Sequence, residues 1–366
     1  MSDMVEVIHD RLIQQQVDSI RFVQPEPSGN HSIRIGDYLV RGQHNMWVVL
    51  DAAGVSSALL QECFELARRD RRLGFVKKLP QSAALGAALS DAFTHCLSGN
   101  VDDFSSELAT LIDLFITLID GLIDEVPEVF EATREQLQCL LSLKSPLWEE
   151  VAYLPDFDEI EHPLNQVVMH LLLEAVNRMK RTPSWTHDPQ LRSTIIHAIE
   201  QAFEAELRSQ RFQKISQPTD LNMVESTLLR KSENAVWVTA LASTCNYAMP
   251  NWFVLDEFES ASRALGRYLG WIDDLADLFV DILDMRWNSV LLRINSSTSF
   301  ATLNAPPSWP FAVATGISYD HISEDIVLTG RAYYEDVIVK LDRSGLRLPK
   351  MMEVVDDLTL SWLKCR

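Results

Sequence analysis

Apolar residues recur at three- and four-residue spacing through residues 56–69, 81–97, 105–125, 164–179, 190–211, 224–245 and 258–294, the period of helices with a buried face. Strict alternation of apolar and polar positions, the mark of a half-buried strand, is nearly absent. Prolines punctuate the pattern. Pro127, Pro155, Pro163, Pro183, Pro189, Pro218 and Pro250 lie at or near the expected boundaries, where a missing N–H does no harm. The pattern predicts an all-α, single-domain helical bundle.

Two stretches break the period. Residues 24–43 are polar and carry Pro and Gly, which predicts a short helix followed by an irregular arm over residues 1–55, with the helical domain spanning 56–366. Residues 295–310 are rich in Ser, Thr and Pro; a loop of that length in a compact domain suits a lid.

Two of the helical segments carry an unusual charge pattern. In SELATLIDLFITLIDGLIDE (106–125) the surface is apolar nearly all round except for one stripe holding Asp113, Asp120 and Asp124, with Glu125 beside it. In YLGWIDDLADLFVDILD (268–284) Asp273, Asp277, Asp281 and Asp284 form a second stripe, with Asp274 adjacent. Side chains four apart on a helix stand ~5–6 Å from each other, and like charges there cost ~0.2–0.5 kcal/mol per pair. A solvated face normally interleaves bases, yet neither run contains Lys or Arg. A hard divalent cation such as Mg2+ supplies the missing compensation, since it takes carboxylate and phosphate oxygens together.

Composition narrows the partners. Lys and Arg total 32 against 52 Asp and Glu, a net charge of −20 that argues against nucleic acid and anionic membrane surfaces. Five dispersed cysteines without C-x-x-C spacing suggest neither a disulfide framework nor a zinc site. No run reaches the ~18 apolar residues of a membrane span, and the first residues carry acids where a secretory signal carries bases. The expectation is a cytoplasmic protein without stable membrane insertion.

D-G-L-I-D-E at Asp120 to Glu125 and D-D-L-A-D at Asp273 to Asp277 resemble the two Asp-rich motifs of the class I isoprenoid synthase superfamily, which includes terpene cyclases and trans-prenyl diphosphate synthases. The resemblance covers roughly residues 56–294. It implies a helical bundle with a central cavity, across which the motifs face each other and bind Mg2+ around the diphosphate of a prenyl substrate. Asp120, Asp124, Asp273 and Asp277 are then the expected catalytic metal ligands, with Glu125, Asp274 and Asp281 flanking them. Asn288, in RWNSVLLR after the second motif, is a further candidate ligand that would extend the acidic face by a turn. Lys231, and with it Arg230, stands in LRKSENAVW, near the place where the family sets a diphosphate-gripping Lys. Arg267 could reach a phosphate or pair with Asp274, and Phe115, Trp271 and Trp237 are candidate walls for a carbocation pocket, because aromatic faces attract cations.

Departures from the family pattern guide the reaction expected. A Gly-Gly-Lys-x-Arg segment and an Arg pair after the first motif are missing, and Gly121 stands where many chain-elongating enzymes have a second Asp. One well-marked diphosphate site suits a terpene synthase that ionises a C15 or C20 allylic diphosphate and cyclises the cation. A prenyltransferase using Lys77 and Lys78 at a second site, and a non-catalytic helical protein that retained the fold, are the alternatives. Dimers are common in the superfamily, so a homodimer is the expected assembly.

Overall fold

The structure, a computed structural model, describes residues 2–23, 35–149, 160–210, 221–247, 249, 253–284, 286–297 and 319–364. Among them the chain forms fourteen α-helices and no strand. They are α1 (Ser2–Val23), α2 (Ile35–Ala52), α3 (Ser57–Arg69), α4 (Leu79–Ser98), α5 (Asp103–Glu125), α6 (Pro127–Leu141), α7 (Pro163–Lys180), α8 (Pro183–His187), α9 (Pro189–Ser209), α10 (Leu221–Thr244), α11 (Leu255–Asp284), α12 (Ser289–Ser297), α13 (Tyr319–Arg343) and α14 (Pro349–Lys364). A 3₁₀ segment, Arg71–Lys78, leads into α4.

Local chemistry sets the helix starts. Pro stands in the first turn of α4, α6, α7, α8 and α9, where no intrahelical N–H bond is lost. Before α9 the Asp188 carboxylate also accepts the N–H of Leu191 at 2.9 Å, and before α5 Asp102 accepts that of Phe104 at 2.9 Å.

The core is built around α5 and α10. Helix α5 packs against α2, α4, α7 and α10, which is why its sequence is apolar almost all round. Helix α10 touches α4, α5, α9 and α11. Its approach to α11 is close because Gly266 and Gly270, one turn apart, face Ser232; a Cβ at either glycine would collide with it. That contact seats the turn of α10 carrying Lys231 against the helix carrying the second acidic stripe.

Three expectations change. The irregular arm does not extend through residue 43, because residues 35–52 form α2 and bury Tyr38, Met46, Val49 and Leu50 against the bundle. Helix α1 also belongs to the body: it packs on α11 and α13, and His9 Nε2 lies 2.8 Å from the Leu275 carbonyl. The single helix expected over 258–294 is broken after Asp284, for a reason found in Asn288 below. The loop expected at 295–310 lies outside the described residues from residue 298 on; residues 295–297 complete α12. No helix among the described residues is long and apolar enough to cross a membrane.

Candidate active site

The first acidic stripe meets a base. Lys231 of α10 forms an ion pair with Asp120 and lies 3.5 Å from Asp124 Oδ2, both on the last turns of α5. A third carboxylate comes from α9: Glu206 Oε2 is 3.1 Å from the same ammonium, on a side chain only 5% exposed. Burial opposes a charge on Lys231, but the three carboxylates outweigh it and hold the ammonium well above its ordinary range. Burial likewise opposes ionisation of Asp120, and Lys231 again prevails, leaving that carboxyl below its usual value. Glu206 goes the other way: burial, reinforced by Asp120 and Asp124, pushes it well above the ordinary range despite Lys231.

Two turns deeper, the same helices share a second link. Asp113 Oδ1 accepts a 2.6 Å hydrogen bond from Thr239 Oγ1, fixing the register of α5 against α10. Burial pushes the Asp113 carboxyl up to about 7, and its Oδ2 has no hydrogen-bond partner. Asp113 therefore belongs to the interior of the bundle, while Asp120 and Asp124 form its mouth.

The second stripe is held differently. Ser289 N–H donates to Asp274 Oδ2 at 2.9 Å, and Asn288 Nδ2 donates to Asp281 Oδ2 at 2.8 Å and to the Asp274 carbonyl at 2.6 Å. Asn288 Oδ1 accepts the N–H groups of Val290 and Leu291, so this fully buried amide is the N-cap of α12. Its capping ends the helical run, and both ends of the amide are engaged in protein contacts instead of extending the acidic face as a ligand. Burial raises Asp273 to about 7, Asp274 to about 6 and Asp281 to about 7, and the neighbouring aspartates add to each shift. Asp273 is nevertheless solvent-accessible.

Basic side chains connect the stripes. Lys231, paired with the first, also opposes the rise of Asp274 in the second. Arg286, in the break between α11 and α12, pairs with Glu125 at 2.7 Å and slightly opposes the rise of Asp281. From the end of the 3₁₀ segment, the charge of Lys78 reaches Asp273. Among the described residues no three His, Cys, Asp or Glu already close around a point that could hold a metal ion. The donor set nonetheless fits Mg2+, which favours one or two carboxylates per ion completed by phosphate and water.

Behind the first stripe lies an apolar cavity. Phe115 and Ile119 of α5, Met179 of α7, Phe203 of α9 and Val238 of α10 help to line it, and Glu206 stands among them as the one charged group. Its open space is about 20 Å³, which is room for about one water. Trp237 and Trp271 do not line this cavity: Trp237 is buried edge-on to Phe258 at 5.5 Å, and Trp271 is buried edge-on to Tyr333 at 5.5 Å.

The remaining candidates separate. Arg267 pairs with Glu233 of α10 at 2.5 Å, not with Asp274, and ties α11 to α10. Arg230 is exposed, one residue and about 100° round the helix from Lys231. Gly121 has a packing reason: the Phe75 ring lies against it, and any side chain there would displace the ring. Glu206, Phe203 and Arg286 were missed in the sequence. Glu206 had a readable signal, since it continues the buried stripe of Ile195, Ile199 and Ala202 at helical spacing, where an apolar residue is the rule.

No protein-family model matches the chain, nor does any curated protein match it in sequence. Solved structures do. The geranylgeranyl pyrophosphate synthase of Lactobacillus brevis superposes with a TM-score of 0.51 at 11% identity, covering 90% of this chain and 97% of that one. The T. brucei farnesyl diphosphate synthase gives a TM-score of 0.51 at 14% identity, covering 88% and 99%. The chain thus has the all-α fold of the class I isoprenoid synthases, over nearly the full length of both proteins.

Proposed function

We propose that this fold serves a magnesium-dependent terpene synthase, which ionises an allylic prenyl diphosphate of C15 or C20 length. The observation that carries the reading is Lys231, a cation paired with the first acidic helix face, near enough to Asp274 of the second to act on it electrostatically, beside an apolar cavity lined by Phe115 and Phe203. Asp120 and Asp124 on one side, and Asp273 and Asp277 on the other, are the residues proposed to hold Mg2+. Bound there, the ion would neutralise charge developing on the diphosphate leaving group.

The protein's own contributions follow from position. Lys231 offers N–H donors to a diphosphate at the mouth. The prenyl chain would lie inward against Phe115, Ile119 and Phe203, with its allylic end near the mouth. Admitting it requires side chains to move, because the cavity of about 20 Å³ holds only a water. The apolar walls exclude water that would trap the cation early, and the faces of Phe115 and Phe203 can stabilise positive charge by about 2 kcal/mol or more when desolvated.

A second reading has one observation in its favour. Exposed Lys78 acts electrostatically on Asp273, which suits a second diphosphate and hence condensation of two prenyl units. One assay separates the readings: Mg2+ with each of the C10, C15 and C20 prenyl diphosphates, with and without isopentenyl diphosphate, scoring released pyrophosphate and organic product. Hydrocarbon or alcohol formed from one substrate supports the terpene synthase. A longer diphosphate formed only with isopentenyl diphosphate supports condensation, and no pyrophosphate release from any substrate defeats both.

A further inference from the structure

The bases of this acidic chain are unevenly placed. Residues 68–78 hold six of its 32, Arg68, Arg69, Arg71, Arg72, Lys77 and Lys78, against one of its 52 acids, Asp70. All six are exposed. Arg68 pairs with Glu65 at 2.5 Å, and Arg72 pairs with Asp70 at 2.9 Å and with Glu128 at 2.5 Å. Arg69, Arg71, Lys77 and Lys78 form no ion pair among the described residues.

This basic belt adjoins both acidic stripes. The Phe75 ring lies against Gly121, between Asp120 and Asp124, and Arg72 reaches Glu128, just past Glu125. The charge of Lys78 bears on Asp273 of the second stripe. A net charge of −20 repels a diphosphate before it arrives, and uncompensated bases beside the stripes reverse that field locally. Their reach is about 30 Å at ~0.01 M salt and about 8 Å at ~0.15 M. We propose that the belt, through Arg69 and Arg71 above all, steers an anionic prenyl diphosphate to the stripes, raising its rate of arrival without touching it once bound. This inference rests on the reading of the site as a magnesium–diphosphate site.

The test is stopped-flow binding, with Mg2+ present, of a geranyl diphosphate carrying a fluorescent N-methylanthraniloyl group. It compares native protein, Arg69→Gln/Arg71→Gln and a control, Arg343→Gln/Arg347→Gln, with thermal melting to confirm each fold. The control removes the same charge from exposed bases at the other end of α4. Leu346, between those two arginines, accepts from Cys96 Sγ near the C-terminus of α4 through its carbonyl, whereas the belt leads into the N-terminus of α4, about 30 Å away. At ~0.01 M salt Arg69→Gln/Arg71→Gln is expected to associate about fivefold more slowly than native protein, and the control within about 1.5-fold of it. At ~0.15 M the gap should close to less than about twofold, with dissociation rates equal throughout. Arg69→Lys/Arg71→Lys keeps both charges and should associate at the native rate.

An unchanged association rate, or equal slowing in the control, would overturn the proposal. So would faster dissociation, because it would put the two arginines in contact with the bound ligand. Native protein that does not bind the analogue with Mg2+ refutes the parent reading and this inference with it, whereas native binding at a rate indifferent to Arg69 and Arg71 refutes the inference alone.

Discussion

The two acidic stripes resemble each other in sequence and differ in how the fold treats their charge. The first is compensated from within: Lys231 pairs with Asp120, approaches Asp124, and holds Asp120 below its usual carboxyl range. The second is held by neutral donors, Asn288 and the Ser289 N–H, and burial leaves Asp273, Asp274 and Asp281 at about 7, 6 and 7. A carboxylate cluster that the protein orients without neutralising is the better receptor for an external cation. In the proposed reading the first stripe would supply ligands and a phosphate-gripping base, and the second most of the unbalanced charge.

The largest expected effects break one side at a time. Asp120→Asn, Asp124→Asn and Asp273→Asn should each lower turnover by at least about a hundredfold, as loss of groups that stabilise a leaving group does. Stability should part them: without Mg2+, Asp120→Asn should lower the melting temperature by orphaning Lys231, whereas Asp273→Asn should raise it by relieving repulsion. Retained turnover in all three would remove these residues from the chemistry.

Lys231→Met comes next. It leaves Asp120, Asp124 and Glu206 facing one another without their cation, at an expected cost of about 3–5 kcal/mol. Denaturant unfolding without metal measures this loss, and added Mg2+ should restore more stability to the variant than it adds to the native protein. An unchanged unfolding midpoint would show that the three carboxylates do not depend on the base.

The pH dependence of stability follows from the raised carboxyls. Asp113, Asp274 and Asp281 bind protons more tightly in the fold than at their ordinary value of 3.8, so their contribution is fully present below about pH 4 and is lost as pH rises through 6 to 7. Melting temperatures in chelator should therefore fall between pH 5 and pH 8, within the carboxyl range set by burial. Mg2+ with pyrophosphate should remove the part due to Asp274 and Asp281. Asp113, deep in the bundle, should keep its share, and Asp113→Asn should stabilise the protein at pH 8 by up to ~4 kcal/mol. A flat profile would mean these carboxyls titrate normally.

The smallest effect sharpens the second side. Asn288→Ala removes a helix cap and the donor to Asp281, and is expected to cost about 1–2 kcal/mol in denaturant unfolding. A change no larger than that of an exposed control substitution would show that the cap is dispensable.

Much of this was legible in the chain. The apolar period predicted the bundle, and the two Asp stripes singled out α5 and α11, whereas the pairing of Lys231 with the first stripe was not foreseen, since Lys231 was read only as a partner for a diphosphate. What could not be read depends on contacts between distant segments. Residues 35–43 follow Pro and Gly and look irregular, but α2 gains its order from packing on α4 and α5. Helicity through 285–288 looked continuous because nothing local marks Asn288 as a cap; its amide is fixed by Asp281 and the Asp274 carbonyl. Gly121 looked like a lost ligand until Phe75, 46 residues earlier, was found against it. Arg267 pairs across helices with Glu233, a choice that spacing along one helix does not determine.

The most direct measurement is crystallographic: the protein crystallised with Mn2+ in place of Mg2+ and with pyrophosphate, the metal located by its anomalous scattering. Peaks within coordination distance of Asp120 or Asp124 and of Asp273 or Asp277, around one shared pyrophosphate, are the expected result. Metal at neither stripe, or at the two stripes with no pyrophosphate between them, would contradict a common cleft.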